Sequence, residues 1–174
     1  MLKKRVIAVI LIKDGCVVQS ENFRHLNVIH YDTKIAIETF SNWSVDEILL
    51  INVAKKNDEK KFIKFLDSVL KKTFVPISVG GWIKNLNYAS DIFSSGADKI
   101  CVNSGFFNNI KFAEDLGAKF GKQSIICSID YKKNKKNLRE VFINQGKKDT
   151  GYSPIKWAKK VEPYVGEFFL TSID

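Results

Sequence analysis

One order of residues occurs twice in this chain: an acidic side chain, an unbroken apolar run, then small polar groups. It appears at Val45-Asp46-Glu47-Ile48-Leu49-Leu50-Ile51-Asn52 and again from Gly166-Glu167-Phe168-Phe169-Leu170 through Thr171-Ser172-Ile173-Asp174. Each reads as a buried strand delivering polar groups at its C-terminal end. A second pair echoes in the same way, Val6-Ile7-Ala8-Val9-Ile10-Leu11-Ile12-Lys13 with Ser124-Ile125-Ile126-Cys127-Ser128-Ile129-Asp130-Tyr131. Strands that recur across a chain point to duplicated βα units, and so to a fold that gathers its chemistry at strand ends.

The rest of the pattern agrees. Strands are expected near 5–12, 47–53, 75–79, 98–102, 124–130 and 167–171, apolar and β-branched with little alternation, as parallel strands covered on both faces are. Amphipathic helices fit near 33–42, 58–72, 85–95, 107–119 and 153–164. In the second, Phe62, Phe65, Leu66, Val69 and Leu70 share one face, with lysines opposite. Ser153-Pro154 reads as an N-cap followed by proline at the first helical position. The Lys/Asn-rich stretch from 131, followed by Leu138-Arg139-Glu140-Val141-Phe142-Ile143, reads as a hairpin inside one βα loop.

Six βα strands with no internal boundary give a single domain over 1–174. Right-handed crossovers allow an open doubly wound sheet or a barrel. The repeat favours an α/β (β/α)8 TIM-type barrel. The chain's 174 residues fall short of the roughly 250 typical of a closed one, so the expectation is an incomplete barrel of about six units, truncated by about two. A complete flavodoxin-like sheet is the alternative.

Composition narrows the function classes. The net charge of +9 comes from lysines scattered over helix faces and a loop tip, without an aromatic-interleaved basic motif. The expectation is no nucleic-acid partner, with a bias toward anionic, phosphorylated small molecules. Apolar runs stop well short of the ~20 residues a membrane span needs, and the first segment is broken by Lys13-Asp14-Gly15, so no membrane association and a cytoplasmic location are expected. Cys16, Cys101 and Cys127 are widely spaced and His25 and His30 isolated; no metal site and no cofactor are implied.

Several residues stand where barrels keep their chemistry. Asp130 ends the fifth strand, the position of a general acid or base, though a loop-capping role explains it equally well. Gly80-Gly81 ends the third strand and Asn103-Ser104-Gly105 the fourth, each before a helix, where backbone amides can approach a phosphate or simply make a tight turn. The loop Gly146-Lys147-Lys148-Asp149-Thr150-Gly151 is either a lid or a solvated turn. At the opposite strand ends stand Arg5, Glu47, Lys99 and Glu167, two cations and two carboxylates able to ring the bottom mouth. Such a ring either closes the base for stability or gates passage of a small molecule.

These residues, with Lys13-Asp14-Gly15, Val79-Gly80-Gly81, Gly96-Ala97-Asp98-Lys99, Val102-Asn103-Ser104, Phe120-Gly121-Lys122-Gln123 and Ser128-Ile129-Asp130, resemble the cyclase subunit of imidazole glycerol phosphate synthase, along the whole chain and in the same order. The resemblance implies a glutaminase partner in a heterodimer, docked at the barrel's bottom. Ammonia would pass through the ring and up the barrel, to where a bis-phosphorylated aminoimidazole ribonucleotide is cleaved and cyclised. It makes Asp130 one of two catalytic aspartates, and Gly81, Asn103 and Ser104 a first phosphate site. Arg5, Glu47, Lys99 and Glu167 become the ammonia gate, Asp98 and Gln123 lie beside the glutaminase interface, and Lys13, Asn52, Thr171, Ser172 and Asp174 form the active-site rim.

The sequence also departs from that family. Leu11 stands where the second catalytic aspartate belongs and cannot transfer a proton. Asn52 replaces an aspartate, Gln19 a lysine, and Trp82 the third glycine of a Gly-Gly-Gly turn. Losing the aspartate while keeping the gate resembles a paralogous branch that works with a glutaminase and a sugar amidotransferase to amidate surface-polysaccharide sugars. A working histidine-pathway cyclase and a related phosphate-binding isomerase are the alternatives.

Overall fold

The computed structural model describes residues 4–21, 25–134 and 136–173. In chain order the strands are β1 (Ile7–Lys13), β2 (Cys16–Glu21), β3 (His25–His30), β4 (Glu47–Asn52), β5 (Ile77–Gly80), β6 (Lys99–Val102), β7 (Ile125–Lys133), β8 (Arg139–Ile143), β9 (Lys148–Asp149) and β10 (Glu167–Ser172). The α-helices are α1 (Thr33–Asn42), α2 (Glu59–Val69), α3 (Leu86–Ser94), α4 (Ser104–Asn108), α5 (Ile110–Phe120) and α6 (Pro154–Val161).

Six strands, β1, β4, β5, β6, β7 and β10, run parallel and pair in that order. Flat, such a sheet would hold its outer strands roughly 24 Å apart, five spacings of about 4.8 Å. Instead Arg5, just before β1, reaches Glu167 at the start of β10, with Nη2 and Oε1 3.1 Å apart. The sheet is therefore curled into a partial barrel of the TIM type, with the helices outside.

Helices begin where a side chain satisfies a first-turn amide: Asp32, Asp58, Asn85, Asn109 and Ser153 each accept a hydrogen bond from the amide two or three residues on. Asn109 also splits the single helix expected over 107–119 into α4 and α5, because its extended backbone (φ −151°) caps α5. The main core lies between strands and helices, with Ile10, Ile48, Leu50, Leu66, Ile77, Ile92, Ile100 and Leu116 all buried. A smaller cluster of Leu49, Cys101 and Ile126, flanked by Ile51 and Phe169, fills the lumen.

Two differences from the sequence expectation concern exposure and added strands. The closing segment is not a buried strand. Leu170 is 56% exposed, because among the described residues β10 pairs only with β7 and no helix covers its outer face. The antiparallel hairpin β2–β3 was not expected; it extends from β1 at the top of the barrel. The excursion after β7 is a hairpin as expected, with the two-residue β9 added to it.

Candidate functional site

The C-terminal ends of the parallel strands surround a cavity of about 940 Å3. Asp130 enters it from β7. Burial pushes its carboxyl up to about 6, against the lowering effect of a hydrogen bond from Ser128 Oγ to Oδ1 (3.2 Å). A carboxyl poised there exchanges protons readily near neutral pH. Leu11 of β1 lines the same cavity and offers no titratable group.

Gly81 follows β5 with φ +101°, and a Cβ there would overlap the Asn52 backbone. Only glycine lets these two strand ends approach so closely. Asn103 and Ser104 face the cavity from the end of β6. Ser104 Oγ accepts from the Asn144 amide (3.0 Å) and donates to Asn103 Oδ1 (3.2 Å), which ties the β8–β9 turn over the site. Asn103 Nδ2 and Thr171 Oγ1 are buried without a hydrogen-bond partner. Buried polar atoms are rarely left so, and both line the cavity, ready for a polar ligand.

The other rim residues divide. Ser172 lines the cavity. Asn52 also lines it, yet both ends of its amide are engaged: Oδ1 accepts from the Ala54 amide (3.1 Å) and Nδ2 donates to Asn57 Oδ1 (3.2 Å). Lys13 pairs with Cys16 across the β1–β2 turn and is not part of the lining. Asp174 lies outside the described residues. Lys55, Lys84 and Lys147 bring positive charge to the rim. The loop over 146–151 resolves into the end of the β8–β9 turn, β9 and its exit; Lys147 lines the cavity, together with Asn144 and Gln145 earlier in the same turn.

At the opposite end the four charged residues meet. Lys99 Nζ lies 2.8 Å from Glu47 Oε2 and 2.9 Å from Glu167 Oε1; Arg5 adds contacts of 3.4 and 3.1 Å to the same two oxygens. Burial alone would lower the Lys99 pKa, but hydrogen bonds and charge from Glu47 and Glu167 raise it. For Glu167, burial is likewise outweighed by Lys99 and Arg5, which hold its carboxyl below the usual range. Sequence reasoning missed Ser78, whose Oγ donates a short hydrogen bond to Glu47 Oε1. The available signal was a lone polar residue inside the apolar run of β5.

A cavity of about 260 Å3 opens beside this cluster. Val9 and Phe169 line both cavities, and the rest of the lumen cluster divides between them, Ile51 and Cys101 on the upper one and Leu49 and Ile126 on the lower. Asp98 and Gln123 sit on the same lower face. Asp98 Oδ2 accepts from the Ile77 amide (2.8 Å), bracing β5 against β6. Gln123 is exposed in a single 3-10 turn before β7.

A curled βα barrel with a glycine-built cavity and a buried carboxylate at its upper end, and an ion cluster at its base, defines a TIM-type barrel protein with its cavity at the C-terminal ends of the strands. The chain belongs to the histidine biosynthesis protein family, whose pattern matches residues 5–174, and within it the chain is HisF-like. It is 38% identical over 177 residues to imidazole glycerol phosphate synthase subunit HisF of Clostridium botulinum, covering all of this chain and 70% of that protein. The HisF subunit of Bacillus cereus is 34% identical over 176 residues, with 100% and 69% covered. The protein named hisF2 of Pseudomonas aeruginosa is also 34% identical, with 100% and 70% covered.

Proposed function

We propose that this protein is a barrel subunit of the imidazole glycerol phosphate synthase type that receives ammonia from a glutaminase at its lower face. It delivers the ammonia through the lumen to the upper cavity, in the service of amidating a surface sugar rather than of cyclase chemistry of its own. The observation that carries this reading is that the two cavities lie at opposite ends of one lumen, with Val9 and Phe169 in the walls of both. The lower one opens at the ion cluster, and the upper one holds Asp130 with Leu11 in place of a second acid. A lone carboxylate can take up or release a proton but cannot complete an acid–base pair.

Several features support the individual roles. Arg5, Glu47, Lys99 and Glu167 form a gate that a neutral molecule as small as ammonia could pass after modest side-chain movement. Val6, Trp43 and Phe74, all exposed before the first strands of the parallel run, are apolar anchors for a docked subunit, alongside Asp98 and Gln123. Gly81, Asn103 and Ser104 provide phosphate contacts within a lysine-rimmed cavity, and Thr171 and Ser172 belong to the same rim. No helix among the described residues is long and apolar enough to cross a membrane; the cytoplasm is the proposed place of action.

The test is direct. The purified protein is incubated with the bis-phosphorylated aminoimidazole ribonucleotide and an ammonium salt, as native chain and as Leu11→Asp. The native chain is expected to give no turnover, with cyclase activity appearing in the variant. Turnover by the native chain at ordinary enzymatic rates would overturn the conduit reading.

A further inference from the structure

Trp82 is a conformational outlier. Its backbone lies in the left-handed region at φ +61°, where glycine is at ease and a bulky side chain is strained. The residue is nevertheless tied in place. Indole Nε1 donates to the Ala54 carbonyl at 3.0 Å, and Ala54 is itself held through its amide by Asn52 Oδ1. The ring thus bridges the loops after β4 and β5, lines the upper cavity, and has Lys84 Nζ 5.0 Å from its centroid. The same cavity has an apolar part lined by Val9, Leu11, Ile51 and Phe169. Strain kept at a binding cavity, with the side chain locked by two successive hydrogen bonds, is what a preorganised recognition surface requires.

We propose that Trp82 and Lys84 form a stacking platform that selects ligands carrying both a ring and a phosphate. The indole takes the flat face of the ring, and the Lys84 ammonium neutralises the phosphate. An indole accepts a heteroaromatic base by π-stacking, and its apolar face can also take the C–H face of a saccharide. The shared chemistry is therefore a phosphorylated ring. The inference rests on the reading of the upper cavity as a substrate site, but adds a selectivity that phosphate contacts alone do not supply.

The experiment uses the full chain labelled with 5-fluorotryptophan. The chain has three tryptophans, and Trp82→Phe assigns the resonance of interest. The protein is titrated with a purine nucleoside monophosphate, with N-acetylglucosamine 1-phosphate, and with glycerol 3-phosphate as a ringless control. The Trp82 resonance should shift with at least one ring ligand while those of Trp43 and Trp157 stay put. Which ring ligand acts distinguishes a base from a saccharide. Trp82→Gly, which relieves the backbone strain and so retains the fold, should weaken binding of that ligand about tenfold, the scale of one lost stack, and leave glycerol 3-phosphate unaffected. An unshifted Trp82 resonance, or equal affinities in the Gly variant, overturns the platform. If glycerol 3-phosphate still binds, the cavity remains a phosphate site and only the platform fails. If no phosphate ligand binds by calorimetry, both readings fail.

Discussion

Lys99→Ala removes the more buried of the two cations that join both carboxylates of the lower ion cluster. In the native protein the Lys99 side chain is 15% exposed and that of Glu47 only 2%. Stripping one partner from a buried ion pair costs about 3–5 kcal/mol, because the remaining charge is left uncompensated. Here Glu47 keeps Arg5 at 3.4 Å and the hydroxyl of Ser78, and Glu167 is more open to solvent, so the loss should be nearer about 2–3 kcal/mol. In a domain of this size that corresponds to a fall in Tm of about 5–10 °C. Urea titration and thermal melts at pH 7 measure it, with Lys99→Met as a control that keeps the apolar stem. If both variants melt within about 2 °C of the native protein, the cluster is solvated in practice and the reasoning from burial is wrong. A pH series adds a sign. Lys99 has a raised pKa, so its contribution is complete below the ordinary lysine value and fades as pH rises through the folded one. Glu167 has a lowered pKa, so its contribution is complete above the ordinary glutamate value and is lost as pH falls through the folded one. Native stability should therefore decline at both extremes; Lys99→Ala should remove only the share of the alkaline decline that Lys99 contributes, because burial also raises the pKa of Tyr88, Cys101 and Cys127.

Two further outcomes follow from the upper end. Asp130 titrates near 6 in the folded chain, above an unfolded aspartate, so the folded state binds the extra proton between about pH 4 and 6 and stability falls as pH rises through that window. Asp130→Asn should abolish that slope and raise the melting temperature at pH 8; an unchanged slope would show the carboxyl to be better solvated than its burial implies. Gly81→Ala places a methyl against the Asn52 backbone at a φ of +101°, and should cost at least about 2 kcal/mol in urea unfolding. A neutral effect would mean that the β4 and β5 loops separate at little cost.

Much of the framework was legible because buried parallel strands carry their signal locally. Glu47–Asn52, Lys99–Val102 and Glu167–Ser172 stand within a residue of the expected runs, and α1 falls on the expected residues. The β2–β3 hairpin was not legible. Its apolar content is thin and β3 is largely exposed, so no periodic burial marks it. The break at Asn109 was hidden as well, since apolar periodicity continues across it while only the cap changes direction.

The sequence by itself determined the order of βα units, the glycine turns, the charged strand ends and the absence of an acid at Leu11, because each is a property of a short segment. Which of these meet was decided by curling the sheet. Arg5 and Glu167 are 162 residues apart, and Asp130, whose burial lifts its pKa, lies between strand neighbours at Thr171 and Phe142. The Ser78 contact to Glu47 and the lock on Trp82 through Ala54 likewise depend on strand neighbours. A hydrogen bond or a desolvation penalty is a relation between segments, and no single segment records it.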